Sequence, residues 1–172
     1  MGYKLDLMPF RLLLPDEKLA SIHDLDFEAL GMRGIEGIIF DLDNTLGVWG
    51  FTRMEEETLH YLHDAQRQGF RLGFLSNDHG VGREAVQQSL ADHPMIFNAQ
   101  KPKRSGYRAI LENFELLPHQ TAMVGDQLFT DIFGAKRLGM YAIMVDPVAP
   151  DVEDRSVRFR RFFERQILRF KK

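Results

Sequence analysis

The chain contains no cysteine, and this absence excludes disulfide bridges, zinc ribbons, iron–sulfur clusters and thiol nucleophiles together. It also has no run of about eighteen consecutive apolar residues, the length that a membrane-spanning helix requires. The opening segment, MGYKLDLMPFRLLLP, is too interrupted by charge and proline to be typical of a secretory signal. We therefore expect a protein of the reducing cytoplasm.

The charge of the chain is unevenly distributed. The 172 residues are 44% apolar and 27% charged, which predicts one globular domain with a substantial core. The net charge of −3 combines a tail of +7, residues 155–172, with a body of −10. Because the negative net charge of the body would repel the phosphate backbone of a nucleic acid, we do not expect a nucleic-acid partner.

Short apolar segments alternate with helical patterns through the middle of the chain, at the spacing of parallel βαβ units. Segments such as GIIF and YAIMV are apolar throughout, which is typical of strands covered by helices on both faces. The pattern predicts an α/β fold with a doubly wound, mainly parallel five-stranded sheet. We predict strands at 37–42, 71–75, 95–97, 121–124 and 141–145, and helices at 53–68, 81–91, 104–114 and 130–138.

Two appendages flank the predicted core, residues 34–150, of a single domain that spans 1–172. Residues 1–33 form a lead-in with a short aspartate-capped helix in DLDFEALG. Residues 151–172 predict a basic amphipathic C-terminal helix. Its apolar stripe fits packing on the domain or a partner subunit, and it fits an anionic membrane surface equally well. The stripe consists of Phe159, Phe162, Phe163, Ile167 and Phe170.

Aspartates follow two of the predicted strands. In Asp41-Leu42-Asp43, the alternation of an extended chain places both carboxylates on one side. This is the sheet edge at which open α/β folds bind their ligands, and Asp126 and Asp131 follow the fourth predicted strand to the same edge. Carboxylates without neighbouring histidine or cysteine suit a hard cation, Mg²⁺ above all.

Two further segments supply groups that suit a phosphate. Ser76 and Asn77 follow the second predicted strand, where a hydroxyl and free backbone N–H groups can hold phosphate oxygens. Lys101 follows the third strand and offers a positive charge on a turn restrained by Pro102. A magnesium site with an aspartate free to attack predicts phosphoryl transfer. Taken singly, these residues fit a plain turn and a surface lysine, so only the combination indicates a site.

The segments DLDNTL, LSND, KP and GDQLFTD occur in this order over residues 40–131, and they resemble the four motifs of the haloacid dehalogenase superfamily. The resemblance implies that Asp41 is a nucleophile that forms an aspartyl-phosphate. It implies that Asp43 is the acid for the leaving group and the base for water. Ser76 would bind the phosphoryl group, and Lys101 would stabilise its charge.

The resemblance also implies a magnesium site. Asp126 would bind Mg²⁺ together with Asp41 and the backbone carbonyl of Asp43. Asp131 would support this site. Thr45, like Asn77, would lie on the substrate side of it.

The spacing of the motifs leaves no room for an inserted cap domain. About thirty residues separate Asp43 from Ser76, and about twenty-five separate Ser76 from Lys101, and one helix and one strand fill each interval. An open site is therefore expected. Longer segments, LMPFRLLLP and VGDQLFTDIFGAKRLGMYAIMVDP among them, resemble the capless YqeG-type subgroup (subfamily IIIA). Relatives of that subgroup act on phosphatidylglycerophosphate, which makes this lipid phosphate the implied substrate.

The sequence thus predicts a Mg²⁺-dependent phosphoric monoester hydrolase with an anionic phospholipid as substrate. One alternative is a phosphatase for a soluble sugar phosphate or nucleotide, with a lid supplied by a homo-oligomer. Another is a non-catalytic phosphate-binding module. His60 and His63 lie three residues apart on a predicted helix, but no third nitrogen ligand accompanies them. We expect a cytoplasmic protein, and the membrane alternative for its tail would add peripheral contact at the inner face of the membrane.

Overall fold

Six parallel strands form the sheet of the protein. The computed structural model describes residues 11–152 together with Glu164, Gln166 and Ile167. The strands are β1 Glu17–Leu19, β2 Gly37–Phe40, β3 Arg71–Leu75, β4 Met95–Ile96, β5 Thr121–Gly125 and β6 Tyr141–Val145. Their order in the sheet is β1-β6-β5-β2-β3-β4. From β2 the chain moves outward to β3 and β4, then returns to the other side of β2 for β5 and β6, so the sheet is doubly wound.

The predicted number of five strands is wrong, because β1 adds a sixth at the edge of the sheet. This strand pairs with β6, with Glu17 opposite Ile143. Its sequence, EKL, has three residues of which two are charged, so it carries no hydrophobic alternation to reveal it. Short strands with charged side chains are common at sheet edges, where they discourage pairing with other chains. The α/β class and the other five strands are confirmed.

The helices lie on both faces of the sheet. The predicted helix at 104–114 is confirmed residue for residue. The helix predicted at 130–138 is instead a π-helical turn, Leu128–Ile132, followed by a short α-helix, Phe133–Lys136. The predicted cap of the lead-in helix is present, because the Asp26 side chain accepts a hydrogen bond from the Ala29 N–H. The helices are α1 Phe27–Met32, α2 Glu56–Arg67, α3 Glu84–Ser89, α4 Arg104–Phe114 and α5 Phe133–Lys136.

Strand β2 separates two hydrophobic cores. Ile38 and Phe40 pack in a core with Leu62 of α2, whereas Ile39 belongs to the opposite core with Ile110 of α4. Alternate side chains of a strand point to opposite faces, and both faces are covered here. This explains why GIIF is apolar at every position after its glycine. In the described part of the chain, no helix is long and apolar enough to cross a bilayer.

The C-terminal segment contacts the core through two of its described residues. Glu164 is 2% exposed, and its Oε1 accepts hydrogen bonds from the backbone N–H of Leu128 at 3.0 Å and of Phe129 at 3.4 Å. Ile167 packs against the α4 core. These contacts match the alternative in which the segment packs on its own domain. The four phenylalanines of the predicted stripe and residues 1–10 lie outside the described residues.

We expect Glu164→Ala to destabilise the protein by about 1–3 kcal/mol, because it leaves two buried N–H groups without their acceptor. Glu164→Gln retains an acceptor oxygen and should recover much of this loss. Urea unfolding followed by tryptophan fluorescence measures the effect. The half-buried Gln166 gives the control variant Gln166→Ala, and equal midpoints for the two alanine variants would contradict the prediction.

Candidate active site

The register of the sheet brings the sequence-predicted residues to one edge. Phe40 lies opposite Phe74 of β3 and Val124 of β5, so Asp41 follows β2 level with the ends of both neighbours. Asp41, Asp43, Ser76, Asn77 and Lys101 are thereby brought together in one cleft of about 210 Å³. The cleft is lined by Asp41, Asp43, Trp49, Ser76, Asn77, Asp78, Lys101, Gln127 and Thr130.

A tight turn aims both aspartates of the first motif into this cleft. Asn44 has φ 60°, a left-handed conformation that asparagine tolerates better than most residues. Its N–H donates to the Gly47 carbonyl at 2.8 Å. The buried Thr45 hydroxyl donates to Asp41 Oδ2 at 3.4 Å. Thr45 therefore orients the carboxylate that the sequence predicts as the nucleophile.

Three buried carboxylates lie close together at the site, and Asp41 is the one among them that lines the cleft. One oxygen from each of Asp41, Asp126 and Asp131 lies within 4.8 Å of the others. The ammonium group of Lys101 pairs with Asp41 and, at 2.7 Å, with Asp131 Oδ1. When all are ionised, one positive charge faces three negative charges, and burial makes such an excess costly. A divalent cation would balance it, and oxygen donors are what a hard cation prefers.

The electrostatics of this cluster shift the pKa values of its members. Burial raises the pKa of Asp41 well above its ordinary value, and the negative charges of Asp131 and Asp126 add to this, while Lys101 opposes it. Burial by itself would lower the pKa of Lys101, but Asp131 and Asp41 raise it above its ordinary value. Lys101 is therefore charged at neutral pH and supplies a permanent positive charge to the cleft.

Asp131, which the sequence predicts as a supporting residue, lies in the same buried cluster as Asp41 and Asp126. Its Oδ2 accepts a hydrogen bond from the Gln127 N–H at 3.0 Å, and its side chain lies directly against the backbone of Gly125. A Cβ atom at Gly125 would lie 2.5 Å from Asp131 Cγ. Only glycine at this position admits the third carboxylate.

Asn77 holds the loop that carries Lys101. Its Oδ1 accepts a hydrogen bond from the Lys101 N–H at 2.6 Å, and its Nδ2 donates to the Lys101 carbonyl at 3.3 Å. The side chain thus joins the loop after β3 to the loop after β4. These contacts fix the position of the lysine that the sequence analysis singled out.

The carboxylate of Asp43 lies in a separate network of hydrogen bonds. Its Oδ1 accepts from the Gly50 N–H at 2.8 Å and pairs with the guanidinium of Arg83. Its Oδ2 accepts from the Ser76 hydroxyl at 3.3 Å. Arg83 is 1% exposed, lies 4.7 Å from the centre of the Phe51 ring and also contacts Asp78 at 3.4 Å.

Arg83 was not predicted from the sequence as a site residue, and neither were Trp49, Asp78, Gln127 and Thr130 of the cleft. Arg83 resembles an ordinary surface arginine before a helix. One signal was present: the residue precedes the first residue of α3, where the helix dipole disfavours a positive charge. His60 and His63 are both exposed on α2. In the described part of the chain, the one group of side chains arranged to hold a metal contains neither of them.

Known proteins are similar to this chain in sequence and in fold. A family model described as mitochondrial PGP phosphatase, where PGP is phosphatidylglycerophosphate, matches residues 5–149. Probable phosphatase YqeG of Bacillus subtilis (strain 168) is 32% identical over 158 residues, which are 92% of this chain and 91% of that protein. Phosphatidylglycerophosphate phosphatase 1, chloroplastic/mitochondrial, of Arabidopsis thaliana is 25% identical over 166 residues, which are 91% of this chain and 47% of that protein. This chain thus spans about half the length of the Arabidopsis protein.

Solved structures support the fold alone. An uncharacterized protein from Corynebacterium glutamicum aligns with a TM-score of 0.53 at 18% identity, over 65% of this chain and 85% of that one. A hypothetical protein from Xanthomonas campestris aligns with a TM-score of 0.53 at 16% identity, over 73% of this chain and 71% of that one.

The fold, the four motifs and these relatives define a phosphatase of the haloacid dehalogenase superfamily, of the YqeG type. Within that superfamily, the chain belongs to the family described as mitochondrial PGP phosphatase. The predicted resemblance and the predicted class, a phosphoric monoester hydrolase, are both confirmed. Membership in a phosphatase family does not favour the alternative of a non-catalytic module.

We expect Gly125→Ala to weaken the binding of a divalent cation by about tenfold or more, because the new methyl group displaces the Asp131 carboxylate from its place beside Asp41 and Asp126. Calorimetric titration with Mg²⁺ as the probe measures this. The control is Gly31→Ala in α1, where an added Cβ meets no atom within 4 Å. Equal affinities for the two variants would contradict the role given to Gly125.

We expect Arg83→Ala to destabilise the protein by about 3 kcal/mol, because it leaves the Asp43 carboxylate without its buried counter-charge. Turnover of an aryl phosphate should also fall, by about tenfold or more, as Asp43 loses its fixed orientation. Arg83→Lys retains the charge and should lie between. The control is Arg67→Ala, which removes an exposed pair with Asp64 and should cost less than about 1 kcal/mol. Wild-type stability and turnover in Arg83→Ala would show that the pair has no role.

Proposed function

We propose that this phosphatase hydrolyses phosphatidylglycerophosphate, with Mg²⁺ as its cofactor and an aspartyl-phosphate at Asp41, an acyl phosphate, as its intermediate. The observation that carries the proposal is the position of Asp41. Its carboxylate lies on the floor of the cleft between Lys101 and two further buried carboxylates, with Asp43 beside it.

The donors of the site fit a magnesium ion. Asp41, Asp126 and the backbone carbonyl of Asp43 would hold it, and the Asp131 carboxylate lies close enough to take part. When bound, the cation offsets the negative charges of the carboxylates and of the phosphoryl oxygens. The set contains only oxygen donors, and these are the ligands that hard divalent cations such as Mg²⁺ prefer.

The first chemical step is assigned to the two aspartates of the first motif. An oxygen of Asp41 attacks phosphorus, and the bond from phosphorus to the ester oxygen breaks. Asp43 donates a proton to the departing oxygen, and Arg83 then faces the carboxylate that remains. The Lys101 ammonium and the Ser76 hydroxyl lie on the same cleft and would hold the phosphoryl oxygens.

The second step releases phosphate. A water molecule attacks the phosphorus of the aspartyl-phosphate, and Asp43 accepts its proton. The bond between phosphorus and Asp41 breaks, which restores the carboxylate. The network around Asp43 suits this step, because Gly50 and Arg83 hold one of its oxygens while the other faces Ser76.

Two observations support a lipid phosphate as the substrate. The relatives from Arabidopsis thaliana and Chlamydomonas reinhardtii are named as phosphatidylglycerophosphate phosphatases. In addition, only α2 and β3 lie between Asp43 and Ser76, and only α3 and β4 lie between Ser76 and Lys101. The cleft has no inserted cap, so a bulky group attached to the phosphate can remain outside it.

We expect Asp41→Asn to lower the turnover of phosphatidylglycerophosphate in mixed micelles by at least about a thousandfold, because the amide is a poor nucleophile. Labelled phosphate should remain attached to acid-quenched wild-type protein and be absent from this variant. A metal chelator should abolish turnover, and added Mg²⁺ should restore it. The exposed Asp92 provides the control variant Asp92→Asn.

Two results would contradict this proposal. Full turnover by Asp41→Asn would exclude the intermediate. A preference for soluble sugar phosphates or nucleotides over the lipid phosphate would select the alternative substrate class.

A further inference from the structure

Four large apolar side chains are exposed on loops at the edge of the sheet where the catalytic cleft opens, and one of them, Trp49, also lines the cleft. Val48 (43% exposed) and Trp49 (51%) follow β2, Val81 (87%) follows β3, and Val148 (54%) follows β6. All three loops leave the carboxyl ends of parallel strands, so they lie at the catalytic edge of the sheet. We call Val48, Trp49, Val81 and Val148 the apolar rim.

The opposite edge of the sheet lacks a comparable set. In the described part of the chain, two other large apolar side chains are strongly exposed, Met32 and Leu117. Each precedes the amino end of a strand, β2 and β5 respectively, at the edge away from the cleft. Single exposed apolar residues are ordinary, but several around one site mark a surface for interaction.

Hydrogen bonds fix the rim to the catalytic residues. The N–H of Gly50, next to Trp49, donates to the Asp43 carboxylate at 2.8 Å. The N–H of Val148 donates to the carbonyl of Asn44 at 2.9 Å, and Asn44 lies in the turn between Asp43 and Thr45. A surface that contacts the rim is therefore held at a fixed distance from Asp43.

The cleft and the rim would contact two different parts of the substrate. The residues that line the cleft are polar except for Trp49, and its volume suits a phosphate group with little attached to it. Trp49 belongs to both the cleft and the rim, so the two surfaces are continuous. Whatever bears the phosphate must therefore extend over apolar side chains.

We propose that the apolar rim seats the protein on the interfacial region of a phospholipid bilayer, with the mouth of the cleft facing the headgroups. The proposal rests on the proposed function in that the phosphate is borne by a lipid. Tryptophan is enriched at membrane interfaces because its ring is apolar and its N–H is polar. The valines can enter the boundary between headgroups and acyl chains.

Exposed charges of both signs lie at the same edge of the sheet. Arg53, Lys103 and Arg104 can face lipid phosphates, but Glu55 and Glu56 lie at the start of α2 on the same side. The net electrostatic attraction is therefore small, and the apolar contact dominates. We expect vesicle binding to depend weakly on salt and to occur on zwitterionic lipid as well as on anionic lipid.

Trp49 provides a direct test because it is the one tryptophan of the chain. On addition of phosphatidylcholine vesicles, with or without phosphatidylglycerophosphate, its emission should move to shorter wavelength, and the protein should sediment with the vesicles. The variant Val48→Ser/Val81→Ser/Val148→Ser should bind vesicles at least roughly tenfold more weakly. Its turnover of a soluble aryl phosphate should be unchanged, since these valines do not line the cleft. Met32→Ser/Leu117→Ser is the matched control and should behave as wild type.

The outcomes separate this proposal from the proposed function. Rim-dependent vesicle binding without lipid hydrolysis would support the rim and contradict the substrate. Hydrolysis of the lipid phosphate by the triple variant at the wild-type rate, with unchanged vesicle binding, would overturn the rim and leave the substrate in place. A wild-type protein that binds no vesicles, or whose Trp49 emission does not move on binding, would also overturn the rim.

Discussion

The burial of three carboxylates beside one ammonium group is the constraint on which the rest of this structure depends. Asp41, Asp126 and Asp131 can be buried together because Lys101 lies among them, and their remaining negative charge favours a bound cation. Several features of the fold serve this arrangement. The register of β2 with β5 sets two of the carboxylates, Gly125 admits the third, and Asn77 holds the loop of Lys101.

Two aspartates that are separated by a single residue experience different surroundings. Asp41 is buried at the base of the cleft, and burial raises its pKa, whereas the Asp43 carboxylate contacts Arg83, Gly50 and Ser76. Enzymes commonly divide the tasks of neighbouring carboxylates in this way, through environment and not through residue type. The division follows from the contacts of Asp43 with Gly50, in the loop after β2, and with Arg83, in the loop after β3.

The absence of an inserted cap between the motifs leaves the mouth of the cleft open, and the apolar rim lies at the same edge of the sheet. A lipid surface contacting that rim would itself dehydrate the mouth of the cleft. The C-terminal segment connects to the same region from another direction, because Glu164 holds the backbone N–H groups that follow Gln127 of the cleft. The loop that carries Asp126 and Asp131 therefore contacts Glu164 of the C-terminal segment as well as contributing Gln127 to the cleft.

Local sequence patterns were sufficient to predict most of the strands, one of the helices and the residues of the site. Apolar runs identified five of the six strands, helical periodicity located α4, and the four motifs indicated which side chains meet, because parallel strands end at one edge. Other features depend on packing between residues that are far apart in the chain, and only the folded structure shows them. The edge strand β1 has no pattern of its own, Arg83 acquires its role only through Asp43, and Glu164 only through Leu128. A charged side chain in an ordinary local context shows neither its burial nor its partner, since both come from residues far away in the chain.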